Sequence, residues 1–240
     1  MRLTYFVSTA VLILTCFVAG TTEAAPLPGV NLSAAAFSSS KIPGRDGGDY
    51  LFPRQNEIDY FAEAGMKLIR LPVLWERVQP QLMSDLNPRY LAHIQDVVTM
   101  AKARKGKVLI DLHNYGAYGG ALIGSDAVSV DAFVDVLAKL AQVFGNDRSV
   151  LFGLMNEPKI SSAQDWAAIQ QKAIDAIRKA GAKNHIVVSG VNWDGAHNFL
   201  QVNGDALATL VDPHHRLIFE AHQYFDKDSS GRFVDCVPEE

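Results

Sequence analysis

The stretch VLFGLMNEP, residues 150–158, joins an apolar run to a short polar tip. The run from Val150 to Met155 has the length and composition of a buried strand. It ends in Asn156 and Glu157, an amide and a carboxylate, and Pro158 directly after them cannot donate a backbone hydrogen bond. A buried strand with such a tip predicts a parallel α/β sheet that carries a functional site at its carboxyl edge.

Five other short apolar runs have the same character, and stretches with helical periodicity separate them. The predicted strands are Gly29–Leu32, Lys67–Val73, Lys107–His113, Val150–Met155, His185–Val191 and Arg216–His222. The predicted helices are approximately Arg54–Ala64, Pro88–Lys105, Val130–Phe144, Gln164–Ala180 and Gly204–Val211. We expect Asn87 and Ser162 to cap the helices that follow them.

A glycine follows four of the helical stretches, at intervals of 36 to 41 residues: Gly65, Gly106, Gly145 and Gly181. Glycine at such a position is expected to supply a left-handed helix end. The repeated strand–helix unit predicts a parallel α/β fold, either an open doubly wound sheet or a closed (β/α)8 TIM barrel. No Gly-x-Gly-x-x-Gly follows the first predicted strand, which argues against a dinucleotide-binding sheet.

Polar side chains collect where the predicted strands end. The second strand contains Arg70, and later strands end in His113-Asn114, Asn156-Glu157, Asn192-Trp193-Asp194 and His222-Gln223-Tyr224. Each residue alone has a structural explanation, such as packing for Trp193 or an ion pair with a buried carboxylate for Arg70. Their joint position on successive strands is typical of the active-site face of a TIM barrel and favours that fold.

Alternation along the strands adds carboxylates to this set. Successive side chains of a strand point to opposite faces, so residues two apart share a face. Two such triplets are predicted, Asp111, His113 and Tyr115 on the third strand and Glu220, His222 and Tyr224 on the sixth.

The ordered set Arg70, His113-Asn114, Asn156-Glu157-Pro158 and His222-x-Tyr224 resembles glycoside hydrolase family 5. The similarity is greatest to its secreted endo-β-1,4-glucanases, the cellulases, and it extends from about Gly29 to the last residue. The resemblance implies a (β/α)8 barrel that hydrolyses internal β-1,4-glucosidic bonds with retention. It also implies that no metal and no organic cofactor takes part.

The resemblance assigns roles to single residues. Glu157 would be the general acid/base, and Asn156 would hydrogen-bond the 2-hydroxyl of the sugar at the cleavage point. Arg70 would support the nucleophile, and Tyr224 would hydrogen-bond it. The remaining expected substrate-binding or supporting residues are His113 and His222 in the cleavage subsite, Asn114, and Trp193 as a sugar-stacking face.

The sequence departs from the family pattern after the sixth strand. The family nucleophile is a Glu at the end of barrel strand seven, but only about six of eight units are found. Glu239 and Glu240 follow Pro238 without a predicted strand, so no nucleophile is expected within this chain. Cys236 has no mate once Cys16 is removed, whereas relatives often pair a cysteine after strand six. We therefore expect residues 25–240 to be an incomplete catalytic domain, poorly soluble or partly unfolded, and inactive alone.

The N-terminus has a separate character. Arg2 precedes an apolar run from Leu3 to Gly20, and small residues follow, which predicts a secretory signal peptide over residues 1–24. A membrane anchor is the alternative interpretation. The net charge of −4 offers no basic surface for nucleic acid. We expect a secreted, extracellular protein without stable membrane association, monomeric when complete, whose partner is β-glucan.

Three other functions compete with an endoglucanase. A mannanase or xylanase of the same family would share the catalytic residues and differ in its loops. A carbohydrate-binding relic would keep the cleft and bind glucan without turnover. A metal site built from His214, His215 and His222 is disfavoured, because adjacent strand residues point apart.

Overall fold

The computed structural model describes residues 26–236, so the predicted signal peptide and Cys16 lie outside the described residues. The strands are β1 (Gly29–Asn31), β2 (Leu68–Val73), β3 (Lys107–Leu112), β4 (Ala117–Tyr118), β5 (Ala121–Leu122), β6 (Val150–Gly153), β7 (Ile186–Val188) and β8 (Leu217–Phe219). The α-helices are α1 (Gln55–Glu63), α2 (Trp75–Val78), α3 (Pro88–Ala103), α4 (Val130–Phe144), α5 (Ala163–Lys179) and α6 (Phe199–Leu207). Short 3-10 turns occupy Ser33–Ala36, Asn192–Asp194 and Ala196–Asn198.

Six of the strands form one parallel sheet in the order β1-β2-β3-β6-β7-β8, and β4 and β5 form a separate antiparallel pair. The six correspond to the six predicted strands. Within this sheet each strand pairs with the next sheet strand in chain order, and the order never reverses. A doubly wound sheet grows in both directions from its first strand. The sheet therefore confirms the parallel α/β prediction and shows the strand progression of a (β/α)8 barrel.

The two faces of the sheet have different cores. The outer face packs against the helices and buries the large side chains of Trp75, Phe133 and Trp166 completely. The inner face carries a small apolar cluster from four adjacent strands, consisting of Leu68, Leu109, Leu151 and Val187. Such a layer of aliphatic side chains is what fills the inside of a TIM barrel.

Polar residues replace the aliphatic ones one step further along the same inner face. Arg70 follows Leu68 by two residues, and Asp111 follows Leu109 by two, so both face the inside as well. The register also brings Arg70 beside Asn31 of β1 and beside Leu109 of β3. The inner face is thus apolar at its base and charged at its carboxyl end.

The predicted helix caps are confirmed. The side chain of Asn87 accepts hydrogen bonds from the backbone amides of Arg89 (3.1 Å) and Tyr90 (3.3 Å). The Ser162 hydroxyl accepts one from the Asp165 amide (3.1 Å). Because the first amides of a helix have no partner inside it, these side chains fix where α3 and α5 begin.

The prediction for the four glycines is only half right. Gly65 and Gly181 have left-handed φ values of 88° and 87°. After α3 it is Lys105, with φ of 58°, that takes the left-handed conformation in place of Gly106. Gly145 has a right-handed backbone conformation. Its lack of a side chain allows close packing, since a Cβ there would come within 2.8 Å of the Ala182 side chain.

The last helix lies earlier than predicted. It spans Phe199–Leu207, whereas helical periodicity predicted Gly204–Val211. The chain leaves the helix after Ala208, and the amide of Val211 donates to the side chain of Gln171 on α5 (2.8 Å). The short α2 helix and the β4–β5 pair were not predicted, because segments of two to four residues carry no periodicity.

Between residues 26 and 236, no helix is both long enough and apolar enough to cross a membrane. Cys236 is exposed and carries a free thiol among the described residues.

Candidate active site

The carboxyl ends of the strands surround an open cleft of about 1080 Å³. Six of the predicted site residues line it, namely Arg70, His113, Asn156, Glu157, His222 and Tyr224. Trp193 lines a neighbouring cavity of about 380 Å³, which shares Glu157, His222 and Tyr224 with the cleft. The parallel sheet explains this convergence, because strands that run in one direction end at one edge.

Arg70 lies at the centre of a polar layer at the carboxyl end of the inner face, formed with Asn31, Asp111, Asn156 and Glu220. Its Nη2 donates to Oδ1 of Asn156 (2.7 Å) and lies 3.1 Å from Oδ2 of Asp111, whose side chain is 0% exposed. Its Nε donates to Oε1 of Glu220 (3.1 Å), and its Nη1 donates to Asn31 (3.3 Å). The planar guanidinium therefore holds groups from four strand ends in one fixed arrangement.

His222 joins two carboxylates. Its Nδ1 lies 2.6 Å from Oε1 of Glu157, and its Nε2 lies 3.0 Å from Oε1 of Glu220. Burial disfavours a charge on His222, but these two hydrogen bonds outweigh burial and raise its pKa to about 10. Burial likewise opposes the charge on Glu220, and His222 and Arg70 nevertheless hold the pKa of Glu220 below its ordinary value. At neutral pH the imidazolium therefore donates one hydrogen bond to Glu157 and one to Glu220.

Glu157 and Asn156 have unusual local environments. Glu157 has a left-handed φ of 40°, a backbone conformation that costs a non-glycine residue roughly 1–2 kcal/mol. Asn156 is 2% exposed, and its Nδ2 has no hydrogen-bond partner among the described residues. Because its Oδ1 already accepts from Arg70, the amide group presents a fixed, unused donor beside Glu157. Unused buried donors and strained backbone are characteristic of functional sites.

His113 contacts the two other members of the predicted triplet on the third strand, Asp111 and Tyr115. Its Nδ1 lies 2.8 Å from Oδ2 of Asp111, and its Nε2 lies 3.4 Å from the Tyr115 hydroxyl. Burial, and then the charge of Glu157, raise the pKa of Tyr115. The Tyr115 ring meets the Trp193 ring edge to face at 6.4 Å, and Lys159 Nζ lies over both rings.

Asn114 is the one predicted site residue that is absent from both cavity linings. Its Oδ1 accepts from the Trp75 amide (2.7 Å), and its Nδ2 donates to Glu76 (2.7 Å). It thus ties the end of β3 to the short α2 helix. Tyr224 and Trp193 are half-exposed, at 48% and 53%, and are free to meet a ligand.

A left-handed turn follows β7. Asn192, Trp193 and Asp194 have φ values of 59°, 62° and 54°, and none of them is glycine. Asp194 is fully buried, its Oδ1 accepts a short hydrogen bond from the Gly190 amide, and its carbonyl accepts one from the His222 amide (2.7 Å). Burial raises the pKa of Asp194 to about 8.

The sequence-based prediction assigned no role to several residues that the structure places in the site. Asp111 and Glu220 had a usable signal, since each lies two residues before a predicted histidine. Asn31 could have been found from its predicted strand, but only the register shows that it reaches Arg70. Asp194 was among the polar residues at the predicted strand ends, but nothing in its neighbours indicates a left-handed turn.

No group of three or more His, Cys, Asp or Glu side chains within residues 26–236 could hold a metal ion. His222 instead contacts the carboxyl groups of Glu157 and Glu220. The carboxylates nearest to it are neutralised by Arg70 and by the imidazolium.

The fold and the site together define a protein of the (β/α)8-barrel class with a polar site at the carboxyl face of its sheet. Residues 23–239 match the family model described as "Cellulase (glycosyl hydrolase family 5)", and the chain belongs to that family. The resemblance in the sequence is thereby confirmed.

Individual relatives agree with this assignment. The manganese dependent endoglucanase Eg5A of Phanerodontia chrysosporium is 34% identical over 218 residues, which cover 88% of this chain and 56% of that protein. The solved endo-beta-1,4-glucanase Xac0029 of Xanthomonas axonopodis pv. citri is 46% identical, with a TM-score of 0.86 over 88% of this chain and 68% of that one. Endoglucanase Cel5A of Pseudomonas stutzeri, solved with cellobiose, is 40% identical, with a TM-score of 0.81 over 87% and 63%. The chain therefore spans little more than half the length of the first of these relatives.

Proposed function

We propose that the protein hydrolyses internal β-1,4-glucosidic bonds of cellulose or a related β-glucan with retention, and that Glu157 is its general acid/base. The observation that carries the proposal is the position of Glu157. Its carboxylate lies at the tip of β6, in an open cleft, 2.6 Å from His222. The names of the relatives support the substrate, since they are endoglucanases and one was solved with cellobiose.

The chemistry would proceed in two steps. In the first, Glu157 donates a proton to the glycosidic oxygen while a second carboxylate attacks the anomeric carbon, so that the leaving sugar departs and a glycosyl ester forms. In the second, Glu157 removes a proton from water, and the water oxygen displaces the second carboxylate. The contact with His222 supports the first step, because an imidazolium stabilises the carboxylate that remains on Glu157 after proton donation.

Neighbouring residues would orient the sugar. The unused Nδ2 donor of Asn156 would bind the 2-hydroxyl, with Arg70 fixing the direction of that amide. Trp193 would provide a stacking face at the mouth of the cleft. His113 would line the cleavage subsite, and Tyr224 would hydrogen-bond the nucleophile.

The second carboxylate is not assigned to a described residue. Glu220 lines the cleft, but its Oε1 is held by both Arg70 and His222, which gives it a supporting role. We assign the attacking carboxylate to a Glu at the end of a further barrel strand, as the family resemblance implies.

The proposal is tested with the protein expressed from its complete gene, including residues 1–24. Culture medium and cells are assayed separately on carboxymethyl cellulose, mannan and xylan, so that export is tested together with substrate preference. We expect activity in the medium, highest on cellulose. Replacing Glu157 by Gln should lower kcat roughly 10²–10⁴-fold, because the variant has no proton to exchange. Added azide should accelerate only the second step of Glu157→Gln, since azide attacks the glycosyl ester without a general base.

The control is Glu63→Gln on α1, whose side chain is 72% exposed and outside the cleft. It should retain full activity. Wild-type activity confined to mannan or xylan would transfer the proposal to that substrate. Glucan binding without turnover by the wild type would favour the binding relic, and unchanged kcat in Glu157→Gln would remove Glu157 from the reaction.

A further inference from the structure

The turn Asn192–Asp194 has no glycine, although three successive residues of it are left-handed. Ordinary residues avoid this conformation, so other contacts must hold the turn in place. On its β7 side, the side chain of Asn203 pairs with both the amide (2.8 Å) and the carbonyl (3.2 Å) of Val191. Within the turn, the buried Asp194 side chain accepts a short hydrogen bond from the amide of Gly190.

The main chain at the end of this turn is hydrogen-bonded to the main chain of His222. The carbonyl of Asp194 accepts from the His222 amide (2.7 Å), and the carbonyl of His222 accepts from the Ala196 amide (2.8 Å). These two bonds attach both the amide and the carbonyl of His222 to the turn and the residues just after it. The imidazole of His222 in turn contacts Glu157 and Glu220. The position of the turn therefore sets where the imidazole meets Glu157.

The same turn places Trp193. Its ring lines the cavity that Glu157 and His222 also line, and it contacts the Tyr115 ring and Lys159. A right-handed or extended backbone at Trp193 would aim the ring elsewhere. One buried carboxyl group therefore holds both a residue beside the proposed acid/base and a proposed sugar-stacking ring.

We propose that Asp194 is a positioning residue, whose side chain holds the left-handed turn and thereby places His222 and Trp193 beside Glu157. This inference rests on the proposed function. Burial raises the pKa of Asp194 to about 8, which agrees with a carboxyl group that serves as a neutral hydrogen-bonding group at neutral pH. The titratable groups that act on it are His222 and Glu220 of the β8 segment, and the backbone amide of Glu157 also favours the charged form of Asp194.

Two substitutions separate the hydrogen bond from the charge. Asp194→Asn keeps an oxygen that can accept from the Gly190 amide, whereas Asp194→Ala removes it. We expect Asp194→Asn to retain kcat within a few-fold and Asp194→Ala to lose roughly 100-fold, the scale of a 1 Å misplacement at a reacting group. Both are measured in the complete protein, with kcat and KM determined separately from pH 4 to pH 10.

The titration of His222 provides a readout that does not depend on activity. Imidazole NMR should give a His222 pKa near 10 in the wild type and in Asp194→Asn. In Asp194→Ala the pKa should fall, because the imidazole moves away from its two carboxylates. If Asp194→Ala does not fold, Asp194→Gly replaces it, since glycine adopts left-handed φ without strain.

The matched control is Asp147→Ala, at the opposite end of β6. Asp147 also accepts a backbone amide, that of Ser149 (2.9 Å), and it pairs with Lys102. It should lower the melting temperature without changing the pH profile of kcat or the titration of His222. Wild-type kcat and His222 titration in Asp194→Ala would overturn the inference, as would equal losses in Asp194→Asn and Asp194→Ala. If the wild type itself does not cleave β-glucan, the proposed function fails, and the NMR comparison alone decides whether Asp194 positions His222.

Discussion

Arg70→Met tests the charge balance of the polar layer most directly. Methionine has about the same length as the arginine stem, so the substitution removes the guanidinium with little loss of packing. Asp111, which is 0% exposed, would lose its cationic partner at 3.1 Å, and Glu220 would keep only His222. Removing one partner of a buried ion pair costs about 3–5 kcal/mol.

That cost converts into a measurable change in melting temperature. For a domain of this size, 1 kcal/mol corresponds to about 2–4 °C, so Arg70→Met should melt about 6–20 °C below the wild type. Arg104→Met is the matched control, because Arg104 pairs with Asp59 at 2.7 Å but is 41% exposed. An exposed pair contributes little to stability because water screens it, so the melting temperature of Arg104→Met should stay close to that of the wild type.

Thermal unfolding of the complete protein, followed by circular dichroism at pH 7, is the assay for both variants. The ratio of the two shifts matters more than either value, since both variants lose one positive charge and one arginine. Equal shifts in Arg70→Met and Arg104→Met would refute the reasoning. They would mean that water reaches Asp111 or that Asp111 does not depend on Arg70.

Two further predictions concern pH. The folded pKa of His222, about 10, lies above the ordinary value of 6.5, so its contribution is fully present below about pH 6.5 and is lost as the pH rises through 10. His222→Gln should therefore lower the free energy of unfolding, measured with denaturant at pH 7, by about 1–3 kcal/mol. A difference from the wild type that does not shrink toward pH 10 would contradict this. Asp212 is bound in a bidentate manner by Arg178, and the pKa of Asp212 lies below its ordinary value of 3.8 because that pairing outweighs burial. Asp212→Asn should lower the free energy of unfolding by about 3–5 kcal/mol above pH 4. The difference from the wild type should narrow as the pH falls further. A constant difference down to pH 2 would count against the ion pair.

The sequence predicted the strands well because each one is buried, and burial leaves a run of apolar residues such as Val150–Met155. It predicted that polar side chains converge, because parallel strands end at one edge, and Arg70 and Glu157 do line one cleft. It failed where structure depends on single contacts between distant residues. The left-handed turn at Asn192 is held by Asp194, and no local pattern distinguishes that aspartate from one on the surface.

Because side chains two residues apart share the inner face, residues that stabilise the core lie next to residues of the candidate site. Leu109 and Asp111 are two residues apart and face the same interior, yet the first packs in an aliphatic layer and the second pairs with Arg70. The aliphatic layer excludes water from below, which strengthens every charged contact above it. A carboxylate in that setting must be paired or must hold a proton, so the residues that stabilise the layer also determine which carboxylates are charged. Glu157 lies at the solvent-facing rim of this arrangement, where one imidazolium supports it from within and a ligand can approach from the cleft.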